Sequence, residues 1–393
     1  MKNIILIILL LFVSVTQAIP QRYSHIYKKI NELKKSKVLK HGQWSVYAEY
    51  VKSGKIIISL NSEESLAPAS GLKAFTTAIA LNTLGKNYRY ITRLYYDGTI
   101  NAKGILEGNI YISGGGDPTL GSNMVKGSLP LDSLMLTWVN AIKRKGIKKI
   151  YGGVYASPFF FDGKRVPDYW NWEDIGNYYG AGTSSLSINN NMYKLYFKPS
   201  RNIGGKAIVL RTEPVIPGLR FINNMKTGKP GSGDNGYIYC APNQFNASLW
   251  GSIPAGKSEF YIKGSIPGPP LFTAQYLTSK LNEANIIVDS TAGKLKRPIT
   301  FDKSKIIITT YSPSLENIIY TTNKRSVNLY AETLLKTIAL KMTGKGTTKN
   351  GTMFIKNYLD SVGVTTAGFK IYDGSGLSRV DEITTKAMTQ LLI

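Results

Sequence analysis

The sequence predicts an α+β protein in which a large β-rich region interrupts a domain of mixed helices and strands. Two strand candidates, residues 43–51 and 55–60, are followed by an amphipathic helix that starts near Ser70. From about residue 90 to residue 296, short aromatic and β-branched runs alternate with Gly and Pro, as strands and turns do. Helix candidates return after residue 300, so we interpret the middle of the chain as an insertion.

The first eighteen residues have the pattern of a cleavable export signal. Lys2 is positively charged, residues 4–13 are apolar, and small residues precede Pro20. The apolar run is too short to span a bilayer comfortably, and no comparable run follows it. Cys240 is the sole cysteine, which excludes an internal disulfide and a lipid-modified cysteine at the cleavage point. We therefore expect an exported, periplasmic protein without a transmembrane span.

The net charge is strongly positive. Lysine and arginine number 49 against 24 aspartates and glutamates, which gives a formal charge of +25 at pH 7. Such an excess usually indicates nucleic acid as a partner, but export and the scattered distribution of the cations argue against it. The one dense stretch, residues 28–40, is typical of a solvated helix face. We expect contact with an anionic polymer of the cell envelope and no nucleic-acid partner.

Local patterns predict the remaining elements in order. Strands are expected in the middle region at 104–116, 150–155, 194–199, 207–212, 236–240 and 259–264. Helices are expected at 271–284, 314–320, 328–341, 353–361 and 384–393, with strands at 305–310 and 369–372. The predicted domains are a signal at 1–18, a discontinuous catalytic domain at 19–90 and 300–393, an inserted β-rich region at 91–299, and a nested domain at about 195–265.

Ser70 and Lys73 form the only S-x-x-K of the chain, at the start of the predicted helix. Leu72, Phe75 and Ile79 are spaced three and four apart, which predicts one buried helix face. Residues three apart on a helix share a face, and a partly desolvated lysine can take the proton of a serine hydroxyl. The spacing thus supplies a nucleophile and its base. About one or two such matches arise by chance in a chain this long, so the motif alone leaves a structural interpretation open.

Histidine is nearly absent, which removes most other hydrolase chemistries. His25 and His41 are the only two, and both precede the first predicted hairpin. A Ser-His-Asp hydrolase would have to use one of them, and a zinc peptidase would lack ligands spaced as in H-E-x-x-H. We expect lysine as the base and no metal or organic cofactor. A catalytic carboxylate pair stays open, because nothing singles one out among the 24 acids.

A serine hydrolase of the S-x-x-K type normally needs a second hydroxyl that relays protons and an amide that orients the substrate, commonly as S-x-N. Such triplets begin at Ser59, Ser187, Ser200 and Ser326. We favour Ser326 with Asn328, because this triplet begins a predicted helix and a hydroxyl there is held in place. Ser187 is the alternative, although its polar surroundings are typical of a turn.

Four motifs, in family order, resemble the D-alanyl-D-alanine carboxypeptidase/endopeptidase family of low-molecular-mass penicillin-binding proteins. They are P-A-S-G-L-K at 68–73, G-G-G-D-P-T-L at 114–120, N-K-R-S-V-N-L-Y-A-E at 323–332 and D-G-S-G-L-S-R at 373–379. The resemblance covers essentially the whole mature chain. It implies a penicillin-recognising serine transpeptidase-like fold, an antiparallel sheet with flanking helices, that carries two small inserted domains.

The resemblance also implies an activity and a role for each site residue. Ser70 would attack the carbonyl between the last two D-alanines of a peptidoglycan stem peptide, or of a cross-link, and form an acyl-enzyme that water releases. Lys73 would be its base, Ser326 would pass the proton to the leaving amine, and Asn328 would hold the substrate amide. The Ser70 backbone N–H would form half of an oxyanion hole. Penicillin and other β-lactams would acylate Ser70 and inhibit the enzyme.

The chain departs from the family pattern at the third motif, K-T-G. In the family this motif lies C-terminal to S-x-N, whereas the K-T-G of this chain, residues 226–228, precedes Ser326, and we interpret it as a chance match. Because the sequence stops at Ile393, we expect a fragment or a short form with impaired activity. The alternative function is a catalytically inactive peptidoglycan-binding protein on the same scaffold. A β-lactamase is a third interpretation, disfavoured only by family analogy.

Two aspartates also match family positions. Asp117 and Asp373 lie in glycine-rich turns, where an aspartate usually holds the turn together. We therefore expect structural roles for both and leave them out of the catalytic set. The sequence leaves the oligomeric state open.

Overall fold

A computed structural model describes residues 23–393 of the chain. The predicted export signal, residues 1–18, lies outside the described residues. The described chain divides into two compact units, one of residues 23–66 together with Thr384–Ile393, and one that runs from Ala67 to Ile383. Among residues 23–393, each helix is too short or too polar to cross a lipid bilayer. The predicted domain boundaries stay a prediction.

Helices and strands are mixed along the described chain, as the sequence predicts. The helices are α1 (Ser24–Lys34), α2 (Leu72–Leu84), α3 (Leu131–Arg144), α4 (Trp172–Ile175), α5 (Pro269–Glu283), α6 (Leu315–Arg325), α7 (Asn328–Thr343), α8 (Thr348–Ser361) and α9 (Thr385–Leu391). The strands are β1 (Val46–Glu49), β2 (Ile56–Leu60), β3 (Ile91–Tyr96), β4 (Thr99–Ile100), β5 (Ile105–Glu107), β6 (Ile110–Ser113), β7 (Lys149–Ile150), β8 (Val154–Ser157), β9 (Met192–Lys198), β10 (Ile208–Glu213), β11 (Arg220–Asn223), β12 (Lys226–Gly228), β13 (Asn235–Tyr239), β14 (Asn246–Pro254), β15 (Phe260–Ser265), β16 (Ile287–Val288), β17 (Gly293–Lys294) and β18 (Ile306–Tyr311).

The first unit contains α1, the hairpin of β1 and β2, and α9. The two strands pair antiparallel, as the sequence predicts for residues 43–60. The hydroxyls of Ser45 and Thr385 are hydrogen-bonded at 2.5 Å, and Lys386 Nζ donates to Glu63 Oε1 at 2.6 Å. These contacts hold the start of α9 against the hairpin region.

The strands of the second unit form separate sheets around a shared apolar core. The largest has the order β17-β8-β6-β3-β18, in which β3 runs antiparallel to both β6 and β18. A second sheet has the order β16-β7-β5-β4, and a third the order β10-β9-β15. In the fourth, β14 pairs with β11 and then β12 along one edge and with β13 along the other. Buried residues from the first three sheets, from β14 and β13, and from α3 and α5 make up one hydrophobic cluster.

The predicted amphipathic helix is confirmed as α2. Leu72, Phe75 and Ile79 are all buried, and Gly85 ends the helix with φ at 83°. Burial of a side chain of this size contributes about 2 kcal/mol. The helix packs against α6 and α7, so Ser70, just ahead of it, is carried by a fixed element.

Helix α6 is longer than the predicted segment 314–320, and its last residue is Arg325. Ser326 follows as its C-cap in the left-handed conformation, with φ at 53°. This conformation costs a non-glycine residue about 1 kcal/mol. One residue, Val327, then separates Ser326 from the first residue of α7, which confirms the predicted helix start at Asn328.

Several local predictions are wrong. The strands predicted at 104–116 and 150–155 are each two shorter strands, because the chain turns at Gly108 and at Gly152 and Gly153. The middle region contains α3, which the sequence analysis did not predict, although Leu131, Leu134, Met135 and Trp138 follow a helical spacing and are buried. The predicted strand at 369–372 is only an isolated bridge, because the chain turns immediately at the D-G-S-G segment. An alternating pattern four residues long is too short to distinguish a strand from an extended connection.

Candidate active site

Ser70 and Lys73 lie together at the start of α2. Ser70 is solvent-exposed in the short 3-10 turn Ala69–Gly71, which leads directly into the helix. Lys73 is only 2% exposed. Its Nζ donates to Ser70 Oγ at 3.1 Å and to the carbonyl oxygen of Ser375 at 2.7 Å. The structure therefore places the predicted base within hydrogen-bonding distance of the predicted nucleophile.

Burial makes the charged form of Lys73 less favourable than it is in water. Desolvation lowers the pKa of Lys73 from 10.5 to about 8, although the nearby charge of Asp373 opposes that shift. At pH 7 a lysine with this pKa is neutral in about one molecule in ten. A usable fraction of the protein thus has an amine able to accept the Ser70 proton.

The second predicted hydroxyl lies on the other side of Ser70. Ser326 Oγ donates to Ser70 Oγ at 2.9 Å, across 256 residues of sequence. The end of α6 is held to α2 by Asn323, whose Nδ2 donates to Thr77 Oγ1 at 3.1 Å. The left-handed conformation of Ser326 is a local strain of the kind that is common at functional sites.

Asn328 lies in the first turn of α7 and reaches a different element. Its Nδ2 donates to the carbonyl oxygen of Tyr179 at 2.9 Å, which leaves the amide oxygen of Asn328 as the group able to accept from a substrate N–H. Tyr179 belongs to a 3-10 turn that follows α4. The site is therefore assembled from α2, the link between α6 and α7, and this turn.

The other S-x-N triplets lie elsewhere. The hydroxyl of Ser187 is buried and donates to the carbonyl oxygen of Ser184 at 3.3 Å, within its own turn. Ser59 Oγ bonds Ser62 Oγ at 2.8 Å, and Ser200 N donates to Thr227 Oγ1 at 2.8 Å. Ser326 is thus the member of this set that the structure brings to Ser70.

The K-T-G at 226–228 forms strand β12, paired in parallel with the end of β14. Thr227 is buried, and its hydroxyl accepts from the backbone of Ser200. This K-T-G is part of the sheet centred on β14, which explains its presence without a catalytic role.

A tight turn behind Lys73 is held by one carboxylate. Asp373 is fully buried and accepts from the backbone N–H groups of residues 375–378 at 2.6 to 3.0 Å. It also accepts from Trp170 Nε1 at 2.7 Å. This network fixes the Ser375 carbonyl that receives the Lys73 ammonium, and it fits the structural role expected for Asp373.

Glu332 is a contributor that the sequence analysis did not single out. It is fully buried on α7, and its Oε1 accepts from the backbone N–H of Gly374 at 2.8 Å. Burial, with the charge of Asp373, raises the pKa of Glu332 to about 8. At neutral pH the side chain is therefore mainly protonated. A glutamate inside a helical run gives no sequence signal of this burial.

Asp117, the other aspartate of the glycine-rich turns, is also buried. Its Oδ1 accepts from the backbone N–H and the hydroxyl of Thr119, at 2.8 and 2.7 Å. Burial raises the pKa of Asp117 to about 6, and the two hydrogen bonds oppose that shift. These contacts fit the turn-holding role expected from the sequence.

The arrangement is that of an activated serine. An exposed hydroxyl has a buried amine on one side and a second hydroxyl on the other, so a proton can leave Ser70 and reach a group bound in front of it. Tyr179 and Ser375 were missed by sequence reasoning because they act through backbone carbonyls, which every residue has. Among residues 23–393, no group of three or more His, Cys, Asp or Glu side chains is placed to hold a metal ion.

Comparisons with known proteins show the family to which the chain is similar. The sequence profile of the D-Ala-D-Ala carboxypeptidase 3 (S13) family matches residues 26–393. A D-alanyl-D-alanine carboxypeptidase of Actinomadura sp. (strain R39) is 26% identical over 346 residues, which are 86% of this chain and 62% of that protein. The D-alanyl-D-alanine carboxypeptidase DacB of Haemophilus influenzae is 22% identical over 351 residues, covering 88% of this chain and 69% of that one.

The fold is shared with a solved structure. Penicillin binding protein 4 (dacB) from Haemophilus influenzae superimposes with a TM-score of 0.74 at 21% identity, over 88% of this chain and 74% of that one. This likeness confirms the predicted fold class. The chain spans 62% of the length of the Actinomadura relative, which is less than two thirds.

Proposed function

Because the chain belongs to the D-Ala-D-Ala carboxypeptidase 3 (S13) family, we propose that it is a serine D,D-peptidase that acts on the stem peptides of peptidoglycan. The observation that carries the proposal is the contact of Ser70 Oγ with both Lys73 Nζ, at 3.1 Å, and Ser326 Oγ, at 2.9 Å. The reaction is carboxypeptidase or endopeptidase cleavage at the D-Ala-D-Ala bond or at a D-Ala cross-link.

The acylation step follows from these contacts. Neutral Lys73 accepts the Ser70 proton as Ser70 Oγ bonds to the substrate carbonyl carbon. Collapse of the tetrahedral intermediate breaks the C–N bond, and Ser326 passes a proton to the leaving amine. Asn328 accepts from a substrate amide N–H with its side-chain oxygen. The Ser70 backbone N–H is one oxyanion donor, and one such donor is worth about 3 kcal/mol of barrier.

Deacylation completes the reaction. Water attacks the acyl carbon, with the Lys73 amine again as base, and releases the shortened peptide and free Ser70. A β-lactam enters the same first step but keeps its amine tethered, so that water replaces it slowly. Penicillin is therefore an acylating inhibitor in this proposal.

The proposed location is the periplasm. Residues 1–18 are the proposed export signal, which is removed by cleavage. The apolar run and small residues near Ala18 support this location, and a cell-wall substrate fits it. The net charge of +25 supports attraction to a wall polymer that carries carboxylates.

The test is the mass of the intact protein, residues 19–393, after incubation with benzylpenicillin. We expect a stable adduct of one benzylpenicillin on the wild type and none on Ser70→Ala, because the bond forms at Ser70 Oγ. Circular dichroism establishes that both proteins are folded. A folded wild-type protein without adduct would contradict the proposal.

The second candidate function is a catalytically inactive peptidoglycan-binding protein, and the observation that favours it is the net charge of +25. In that case Ser70 is a helix-end hydroxyl, and the basic surface makes the contacts. Binding to isolated peptidoglycan without benzylpenicillin acylation would support it.

A further inference from the structure

One face of the sheet centred on β14 is open to solvent and rich in aromatic residues. Along β14, Asn246, Ser248 and Trp250 point to the open side, while Ala247 and Leu249 between them are buried. Alternation of this kind is expected when one face packs on the core and the other faces solvent.

The neighbouring strands extend this open face in register. Ile222 on β11 and Tyr239 on β13 both lie opposite Ser248, and Tyr237 lies opposite Trp250. Ile222 is 65% exposed and Trp250 is 53% exposed. The Trp250 indole is fixed, since its Nε1 donates to Ser248 Oγ at 2.7 Å.

A fifth residue, Trp172 of α4, adds to this surface from outside the sheet. It is 52% exposed, and its ring lies 6.2 Å from that of Tyr239. We call Trp172, Ile222, Tyr237, Tyr239 and Trp250 the aromatic face. Contiguous exposed apolar patches rimmed by polar groups mark binding sites more often than chance.

Trp250 lines two shallow clefts on the surface. One, of about 590 Å³, is lined by Trp172, Ile222, Tyr239 and the polar side chains Gln244, Asn246 and Ser248. The other, of about 470 Å³, is lined by Asn223, Asn224, Lys206 and Lys226. Trp250 therefore borders aromatic, amide and hydroxyl groups in the first cleft and amides and cations in the second, and we call the two clefts together the groove.

This composition fits a polysaccharide better than a second protein. Sugar rings have one apolar face of C–H groups that stacks on an exposed indole or phenol, and hydroxyl and acetamido edges that bond amides and hydroxyls. An apolar protein partner would leave Gln244, Asn246 and Ser248 unpaired, which is costly. Lys206 and Lys226 at one end complement a polymer whose side chains carry carboxylates.

The groove is also linked to the site at Ser70. The turn that carries Tyr179, whose carbonyl binds Asn328, lies seven residues after Trp172 on the same short segment. Glu173, next to Trp172, is paired with Arg379 just beyond the Asp373 turn, at 2.9 Å. The segment from Trp172 to Tyr179 thus contributes both to the aromatic face and to the site at Ser70.

We propose that the aromatic face binds the glycan strand of peptidoglycan, a β-1,4-linked chain of N-acetylated amino sugars. The choice of ligand rests on the proposed function, but the binding itself requires no catalysis. The groove holds the polymer while Ser70 acts on the attached stem peptides, so it favours polymeric substrate over free peptide.

The test is calorimetric titration with two peptide-free probes, a hexamer of β-1,4-linked N-acetylglucosamine and glycan strands stripped of peptide with an amidase. We expect saturable binding by the wild type. Trp250→Ala should bind at least about tenfold more weakly, a loss of roughly 1.4 kcal/mol in binding free energy. Trp172→Ala is the second variant, for which the same direction is expected. Tyr311→Ala, an exposed aromatic on β18, is the matched control and should bind as the wild type does.

Benzylpenicillin adduct formation is measured on the same samples, because it reports on the proposed function separately. Wild-type protein that forms the adduct but binds neither probe would overturn this inference and leave the proposed function intact. Probe binding that is unchanged in both tryptophan variants would also overturn it. So would self-association in light scattering that Trp250→Ala abolishes, since the face would then serve a second copy of the chain.

Discussion

At the scale of single residues, the candidate site depends on the protonation of one lysine. Lys73 is buried, which favours its neutral form, yet it donates to the Ser375 carbonyl and lies near Asp373, which favour the charged form. The balance leaves its pKa at about 8. The contacts that hold Lys73 in place thus also limit the fraction of it that is neutral.

This balance predicts how acylation depends on pH. Since the base is neutral Lys73, the second-order rate constant for benzylpenicillin should rise about tenfold per pH unit below about 8 and level off above it. Stopped-flow or quenched mass measurements between about pH 6 and pH 9 give the profile. Lys73→Ala should remove acylation while the far-UV circular dichroism stays unchanged. A flat profile would mean that another group takes the proton.

Glu332 gives a second residue-level prediction. Its folded-state pKa, about 8, is above the ordinary value of 4.5, so the folded protein binds the extra proton more tightly than the unfolded chain does. That stabilisation is complete below about pH 4.5 and is lost as the pH rises through about 8. Glu332→Gln mimics the protonated acid, so its free energy of unfolding should increase relative to wild type from pH 5 to pH 8.

Urea unfolding at a series of pH values measures this difference. Asp381, whose pKa is also raised by burial, is kept in both proteins, so the loss of its proton contributes to both curves. A wild-type-minus-variant difference that does not change between about pH 5 and pH 8 would show that Glu332 is already ionised in the folded state.

At the scale of elements, the site depends on the contact between the Asp373 turn and the start of α2. Gly376 has φ at 73°, and a Cβ built on it would overlap the carbonyl oxygen of Ala69, the residue before Ser70. Ala69 is itself in a left-handed conformation, with φ at 45°. Two unusual backbone conformations therefore meet directly behind the nucleophile.

Gly376→Ala should accordingly disturb both stability and acylation. We expect a loss of about 3 kcal/mol in the free energy of unfolding, from strain plus a backbone clash, and slower acylation because Ser70 shifts. Gly344→Ala is the matched control, since Gly344 has the same φ of 73° but nothing within 4 Å of its added Cβ. It should cost about 1 kcal/mol and leave acylation unchanged. Equal effects of the two substitutions would refute the close-contact argument.

Elements with a long periodic pattern were predictable, and short or nonlocal ones were not. α2 and α7 follow from apolar spacing and from clear start signals. α3 has an equally regular apolar pattern, so the sequence contains the information that predicts it. The bridge at Lys370 is different, because whether an extended segment pairs depends on a partner, Glu382, that the local pattern does not identify.

At the scale of the whole molecule, the site combines local and distant information. Ser70 and Lys73 share one helical turn, so their spacing alone predicts their contact. Ser326 could be proposed because a hydroxyl motif of the right type begins a helix. The carbonyls of Tyr179 and Ser375 could not be proposed, since their positions follow from how the chain packs and not from what their side chains are.

The distances in sequence across the site have a consequence for biosynthesis. The partners of Ser70 and Lys73 are 256 and 302 residues further along the chain. At the usual rates of translation, roughly a quarter of a minute to a minute passes before the last of them is made. Until then Lys73 is hydrated, with an ordinary pKa, and Ser70 is a common alcohol. A chain that crosses a membrane unfolded would therefore travel without a reactive serine and gain one only where it folds.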